Sequence, residues 1–220
     1  SEAKKLLDVW EKILFKVEES KEKSYVSLTI GSSTIPSEYL LPDILGDLSR
    51  KIPDLKSSIK VGDSAEMIDL LEKKKVDIII VGFKPQNSSY EIVEVRKDNL
   101  KLIVPNGHKF DKKENLKLND LKNEAMLIRE LGSGTRKAML EGFKKTGLNA
   151  NDLNIKSIIS AVQAGLGISF VSELASNKAS KCGRLKEIEV KDMNFKRKFY
   201  LAFNKHRKEE KIIKKFIECF

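Results

Sequence analysis

The sequence predicts an α/β fold in which helices alternate with strands of a largely parallel sheet. Residues 25–30, Tyr-Val-Ser-Leu-Thr-Ile, alternate in polarity and are rich in β-branched side chains, which is typical of a strand. Ser57–Val61 has the same character, and the apolar run Val76–Val81 suits a buried parallel strand. Helical stretches separate these segments, so the order strand, helix, strand, helix, strand predicts a doubly wound sheet.

Composition limits the class of protein. The chain has 220 residues, of which 40% are hydrophobic and 34% charged, so it is expected to bury a core and not to be disordered. No apolar run is long enough to span a membrane and the N-terminus lacks a signal-peptide pattern, so we expect a cytoplasmic protein without a membrane partner. Two cysteines and two histidines, far apart in sequence, give no metal-ligand spacing. We therefore expect no metal site and no cofactor.

Basic residues exceed acidic ones, 42 against 32, for a formal net charge of +10. Most of the basic residues are lysines, which are strongly hydrated point charges and suit direct base recognition less well than arginines. Two interpretations stay open for this excess. It is either a solvated surface or a face that meets an acidic partner.

Residues 2–19 carry an apolar residue at every third or fourth position, which predicts a helix with one narrow apolar seam. The seam consists of Ala3, Leu6, Trp10, Ile13 and Val17. Such a seam is typical of a two-stranded coiled coil and equally of a helix that packs on its own domain.

The other elements follow from local signals. Pro36 fits the first turn of a helix that runs to Lys51, and a hydroxyl of residues 32–34 is expected to cap it. Asp63 and its neighbours are expected to cap the next helix. Two strands, 90–96 and 100–104, are predicted on either side of Asp98-Asn99. Further helices are predicted at 119–122, 135–145, 157–164, 173–181 and 208–218, and further strands at 126–129, 167–171, 185–190 and 198–203.

Two segments rich in Gly, Ser and Thr occupy the same kind of position in the predicted fold. Gly31-Ser-Ser-Thr34 and Gly132-Ser-Gly-Thr135 each join a strand to the start of a helix, where unpaired backbone N–H groups, short hydroxyls and the helix dipole favour an anion. Arg129 lies three residues before the second segment and could add a cation. The alternative is ordinary helix capping, but two such segments and an arginine favour a small-anion site in a cleft between them.

Catalytic patterns are missing. Gly132-Ser133-Gly134 is not a nucleophile elbow and no histidine is placed to act as its base. Asp98 and Glu130 show no paired-carboxylate spacing, and we expect acidic residues near an anion site to orient Arg129 or a water. The sequence therefore predicts a binding protein and not an enzyme.

Six segments in order resemble one family. They are GSSTIPSEYLLP, GDSAEMIDLLEKKKVDIIIVG, LIVPNGHKF, LIRELGSGTRKAMLEGF, AVQAGLGISFVS and RKFYLAFNK. Together they resemble the effector-binding domain of LysR-type transcriptional regulators, over nearly the whole stretch from Tyr25 to Phe220. The form RELGSGTR is similar to the branch that regulates sulfur, cysteine and selenium metabolism.

The resemblance implies two Rossmann-like lobes joined by two crossover strands, as in a type 2 periplasmic binding protein, with the effector in the cleft between the lobes. The crossings would fall at Arg96–Asn99 and Lys196–Tyr200. The implied divisions are 24–97 with 200–220 for lobe I, 98–199 for lobe II, and 1–20 for the end of a linker helix that pairs subunits. The winged helix-turn-helix that binds DNA is expected upstream, so this chain would reach DNA only through that domain.

The resemblance also assigns site residues. Those implied are Ser32, Ser33 and Thr34 at the first junction, Arg129, Ser133, Gly134 and Thr135 at the second, Gly82 and Phe83 as lesser contributors after the third strand, and Ser157. The implied effector is a small anion, either a sulfate-like oxyanion or a small carboxylate. The implied assembly is a homodimer, and a tetramer in the full-length protein.

Two alternatives remain for the function. A solute-binding protein of a transporter for a small anion would share this fold, and an enzyme such as a deaminase or dehydratase could use it.

The segment before Ser157 is shorter than the family pattern, so a loop is either deleted there or missing from the sequence, and we favour the second.

Overall fold

The computed structural model describes residues 2, 9–10, 26–144, 153–154, 157–181, 183–193 and 195–220. Of the expected helix 2–19, only Glu2, Val9 and Trp10 are described; all three are helical and exposed. The rest of its apolar seam lies outside the described residues, as do residues 155 and 156 before Ser157. None of the helices in the described part of the chain combines the length and apolar character that a membrane span requires.

The first part of the chain builds a parallel sheet with helices on both faces. Strands β1 and β2 pair in parallel along their whole length, and β3 pairs in parallel with the other side of β1. The elements are β1 (Val26–Ser33), α1 (Thr34–Tyr39), α2 (Leu41–Lys51), β2 (Leu55–Gly62), α3 (Ser64–Glu72) and β3 (Ile78–Val81). The predicted strand and helix order is therefore confirmed for this part.

Strand β3 explains why its segment is apolar at every position. Ile78 and Ile80 belong to the core cluster under α1 and α2, whereas Ile79 and Val81 belong to the cluster under α3. All four side chains are fully buried. A strand covered on both faces has no solvent side, so its sequence does not alternate.

Two long strands connect the two halves of the molecule. β4 (Tyr90–Pro105) and β9 (Lys196–Asn204) pair antiparallel from Tyr90 opposite Asn204 to Asn99 opposite Lys196. β9 also pairs with β3, while the far end of β4 pairs with the strands of the second half. Both strands thus belong to both halves.

The predicted break at Asp98-Asn99 is wrong, because β4 is one strand of 16 residues. Asp98 is buried there and accepts hydrogen bonds from Arg197 and Ser172, so its carboxylate is satisfied within the sheet and favours no turn. The irregularity lies earlier, where the register with β9 shifts between Glu94 and Arg96.

The second half has its own sheet and helices. β7 and β8 pair antiparallel with β4, and β5 pairs in parallel with β6. The elements are a 3-10 turn at Leu118–Leu121, β5 (Leu127–Ile128), α4 (Gly134–Lys144), β6 (Leu153–Asn154), α5 (Ile158–Gln163), β7 (Ser169–Ser172), α6 (Glu173–Ser180) and β8 (Leu185–Ile188). A 3-10 turn at Lys205–Arg207 and α7 (Lys211–Ile217) follow β9 and return the chain to the first half.

The single helix expected from Pro36 to Lys51 is two helices. α1 ends at Tyr39, and α2 begins at Leu41 with Pro42 in its first turn. Leu40 between them has φ −120° and ψ −49°, outside the helical region. Proline has no N–H to continue a helical ladder but fits the start of a new one, so the chain changes direction here.

A pair of glycines in helices gives a matched stability test. A Cβ on Gly142 of α4 would lie 1.6 Å from the ring of Phe195, which is buried among Phe143 and Phe170. A Cβ on Gly46 of α2 would meet only the end of the Arg50 side chain, at 3.9 Å. We expect Gly142→Ala to lower the free energy of unfolding by about 1–3 kcal/mol through overpacking. Gly46→Ala should raise it by about 0.5–1 kcal/mol through helix propensity.

Urea denaturation of the two variants and the unaltered chain measures both effects. Equal changes in the two variants would contradict the packing of Phe195 against α4.

Candidate functional site

A small cavity of about 20 Å³ lies where the two halves of the molecule meet. On one side are the end of β1 and the start of α1, with Ser33 and Thr34. On the other side is the start of α4, with Ser133, Gly134 and Thr135. Nearly all lining groups are polar, and several are backbone or side-chain hydrogen-bond donors that suit an anion.

The site residues implied by the sequence fall into four places. Those that line the cavity are Ser33, Thr34, Arg129, Ser133, Gly134 and Thr135. Gly82 and Phe83 line a separate groove, and Ser157 is exposed and lines a chamber next to the cavity. Ser32 is fully buried and donates to the carbonyl of Ser33, away from the cavity.

The hydroxyls at the first junction do not cap the helix as expected. Ser33 occupies the cap position of α1, but its side chain makes no capping hydrogen bond. At the second junction the Ser133 hydroxyl accepts from the N–H of Arg136 at 3.4 Å, which leaves the N–H groups of Gly134 and Thr135 outside that bond. The α3 cap is as expected, since the Asp63 carboxylate accepts from the N–H of Glu66 at 2.8 Å.

Arg129 spans the cavity and is held by an acidic neighbour. Its Nε and Nη2 donate to the two carboxylate oxygens of Glu130 at 2.7 and 2.6 Å. The same Nη2 lies 3.5 Å from Thr34 Oγ1 in the other half of the molecule. Because the ion pair is bidentate, Glu130 fixes the guanidinium plane and balances its charge.

Arg197 of β9 is the most deeply buried cation of the site. Its Nε donates to Asp98 at 2.7 Å and its Nη1 donates to Thr135 Oγ1 at 2.8 Å. Its Nη2 is buried and has no hydrogen-bond partner. Burial lowers the pKa of this guanidinium while Asp98 raises it, and an arginine stays charged under either influence. A buried charged N–H without an acceptor is costly, so a hydrogen-bond acceptor placed at this atom would stabilise the site.

Arg197 is not among the site residues predicted from the sequence, although the sequence contains a pattern that points to it. In the segment Lys196–Phe203 every second residue from Arg197 onward is buried, and the other three are Phe199, Leu201 and Phe203. Arg197 is therefore in phase with the apolar face of the strand. A lone arginine in phase with an apolar face is a candidate for a buried functional charge.

Two glycines let the halves touch beside the cavity. A Cβ on Gly134 would lie 2.8 Å from the Cα of Gly82, and a Cβ on Gly132 would lie 2.5 Å from the Asp63 carboxylate. Gly132 also has φ +86°, a conformation that side chains disfavour. The spacing in Gly132-Ser-Gly134 therefore allows the N-terminus of α4 to approach the first half of the chain.

The chamber next to the cavity measures about 280 Å³ and shares Thr34, Arg129 and Thr135 with it. Its walls are mixed: Ile35, Ile158 and Val171 are apolar, and Tyr39, Glu38 and Ser157 are polar. Burial and the adjacent Glu38 carboxylate raise the pKa of Tyr39, so its hydroxyl stays protonated near neutrality. A ligand with an anionic head in the cavity has room for a short tail here.

Within the described ranges, no group of three or more His, Cys, Asp or Glu side chains is placed to hold a metal ion. The cavity offers donors and two arginines, each already balanced by a carboxylate. The donors of such an arrangement suit a ligand that accepts hydrogen bonds, and no nucleophile lies beside a base among the described lining residues.

Residues 26–220 match the family model described as the LysR substrate binding domain. The chain belongs to this family. The relatives of this LysR domain include the uncharacterized HTH-type transcriptional regulator MJ0300 of Methanocaldococcus jannaschii, which is 32% identical over 98% of this chain. The chain spans 75% of the length of that relative.

Solved structures support the same fold. The regulatory domain of Synechocystis PCC6803 CcmR, in complex with 2-PG, has a TM-score of 0.79 and 24% identity over 87% of this chain and 94% of its own. The effector binding domain of QuiR in complex with shikimate has a TM-score of 0.77 and 18% identity over 89% and 95%.

These matches confirm the expected fold class, two Rossmann-like lobes joined by crossover strands as in type 2 periplasmic binding proteins. They also confirm a ligand-sensing domain of a LysR-type regulator and not an enzyme, and they do not favour a transporter's solute-binding protein.

The buried ion pair of this LysR domain can be tested directly. Asp98→Ala would leave the Arg197 guanidinium buried without a counter-charge, and we expect a loss of about 3–5 kcal/mol in the free energy of unfolding. The control Asp47→Ala removes the partner of Arg50 on the exposed side of α2 and should cost much less. Urea denaturation compares the two. Similarly small losses in both variants would contradict the assignment of Asp98 as the counter-charge of Arg197.

Proposed function

We propose that this LysR domain binds a small anion in the cavity between Ser33-Thr34 and Ser133–Thr135, and that occupancy controls transcription by the full-length regulator. The observation that carries the proposal is the unpartnered Nη2 of Arg197. Its other two nitrogens donate hydrogen bonds within the protein, so the side chain is fixed and only Nη2 is left to donate to a ligand oxygen.

Charge and volume limit the anion. Each arginine of the cavity is paired with a carboxylate and Asp63 also lines the cavity, so a ligand would be held mainly by neutral N–H and O–H donors. The cavity, at about 20 Å³, is much smaller than the ligand sites of about 300–1,000 Å³ that are usual in proteins, which excludes a large ligand. These properties support a sulfate-like oxyanion or a small carboxylate, with any short tail in the chamber beside Tyr39.

The other site residues contribute to ligand binding in different ways. Ser33, Thr34, Ser133 and Thr135 supply hydroxyls, Gly134 supplies a backbone N–H, and Arg129 supplies charge. Ser157 would contact only the tail. Gly82 allows closure of the cavity, Phe83 lies outside it, and Ser32 supports the backbone of the first junction.

The whole regulator is proposed to reach DNA through a winged helix-turn-helix upstream of residue 1, with 1–20 as the end of the linker helix. We place lobe I at 24–97 with 200–220 and lobe II at 98–199. A cytoplasmic location follows from action on DNA. The similarity to the branch that regulates sulfur, cysteine and selenium metabolism stays a prediction.

A homodimer is proposed for this chain and a tetramer for the full-length protein. The supporting feature is β2, an edge strand that exposes Ile59 by 44% and Val61 by 56%. A strand edge that no other described strand pairs with, and that carries apolar side chains, favours a second copy as its cover. Sedimentation equilibrium that returns only the monomer mass across the micromolar range would contradict this part.

A thermal-shift screen tests the ligand. The panel is sulfate, selenite, O-acetylserine, N-acetylserine, 2-PG and shikimate. A ligand present at about 100 times its Kd adds about 2.7 kcal/mol to the free energy of unfolding, which gives a readily measured rise in Tm. We expect a rise with at least one small anion. Thr34→Ala and Ser133→Ala should each weaken its binding about tenfold, because each removes a hydroxyl at the cavity.

Ser49→Ala is the matched control, since Ser49 is exposed on α2 and its hydroxyl bonds only within its own helix. A ligand that shifts all four proteins equally would place the binding site outside the cavity. Affinities unchanged in both cavity variants would contradict the proposal.

A further inference from the structure

A groove of about 780 Å³ runs over the paired strands β4 and β9, outside the cavity. The two strands contribute lining residues such as Lys97 and Tyr200, and Phe83 and Lys137 of α4 border the groove together. Gly134 and Arg197 line both the groove and the cavity. The groove is therefore adjacent to the anion site but opens separately.

Lysines dominate the charge of this groove. Four lysines of the groove are exposed and form no ion pair within the described residues, namely Lys84, Lys97, Lys137 and Lys196. Lys198 pairs with Glu94 at 2.5 Å, and the groove's one acidic lining residue is Glu141. Five ammonium groups thus face two carboxylates, which leaves a clear excess of positive charge.

The pairing of the strands forces these lysines together. Lys97 lies directly opposite Lys198, and Lys196 lies opposite Asn99 on the same exposed face. The alternate residues, Asp98 and Arg197, point to the buried side. Like charges directly opposite each other destabilise an antiparallel pair, and nothing in the packing of an exposed face requires lysine there. A bound polyanion would offset this repulsion.

Two aromatic rings border the same groove. The Nζ of Lys137 lies 4.5 Å from the centre of the Phe83 ring, so this lysine is held against the ring. Tyr200 is half-buried and lines the groove. The rings offer flat apolar faces, whereas the ammonium groups suit phosphate oxygens as point charges.

We propose that this groove binds one nucleoside polyphosphate, with its phosphates on the lysines of β4 and β9 and its base against Phe83 or Tyr200. The groove is a bounded concavity of ligand size, which favours a single nucleotide over an extended nucleic-acid backbone or an acidic protein. Its walls come from both halves of the molecule, so the occupant favours the closed arrangement in which Gly82 meets Gly134.

Isothermal titration with ATP, in EDTA and at fixed ionic strength, tests the site. The groove variant is Lys97→Gln with Lys196→Gln. The matched control is Lys112→Gln with Lys122→Gln, two exposed lysines outside the groove, so both proteins lose the same net charge. We expect saturable binding that weakens about tenfold or more in the groove variant and less than about twofold in the control. Lys84→Gln with Lys137→Gln serves as a second groove variant if the first does not fold.

Four results would overturn the proposal. The first two are that ATP shows no saturable binding, and that the groove and control variants lose affinity for ATP equally. The third is that Thr34→Ala lowers the affinity for ATP, which would place ATP in the cavity. The fourth is that duplex DNA binds the groove more tightly than ATP does at the same phosphate concentration. Inorganic tripolyphosphate should bind more weakly than ATP, and equal affinity would remove the base from the proposal.

Discussion

The buried ion pair between Arg197 and Asp98 is the interaction on which the site depends. Both residues lie on the strands that connect the two halves, and they are directly paired across the antiparallel ladder. Desolvating two charges is costly, and the attraction between them offsets that cost only when the geometry is good and further hydrogen bonds are made. Here Ser172 donates to Asp98 and Arg197 donates to Thr135, so the pair is anchored on both sides.

This anchoring has a functional consequence. Thr135 lies at the start of α4, so the guanidinium on the connecting strand holds the helix N-terminus of the second half in place. Arg129 reaches from the second half toward Thr34 of the first. The cavity is thus built from groups that meet only when the two halves are close, and an anion between them would stabilise that arrangement.

Much of the fold was accessible from the sequence because local signals agreed with the packing. The apolar run ending in β3 and the Asp63 cap of α3 are examples. The errors arose where a tertiary contact overrode the local signal. In the sequence Asp98 is typical of a turn, but in the structure its carboxylate accepts a hydrogen bond from Arg197. The change of direction between α1 and α2 at Leu40 depends on Pro42.

The candidate site was predictable in part for the same reason. Junction residues such as Thr34 and Gly134 follow from strand and helix order, because strand ends in such a fold converge. Arg197 comes from a strand distant in sequence, and its role depends on a register that no local pattern gives. The lysines of the groove likewise share one face only because Lys97 and Lys198 are in register.

The most direct measurement is an anomalous difference map from a crystal of this chain soaked in selenate. We expect a selenium peak in the cavity, with an oxygen within about 3 Å of Arg197 Nη2 and of the backbone N–H groups at the start of α4. Peaks confined to surface lysines, or an empty cavity in which Nη2 bonds a protein carbonyl, would contradict it.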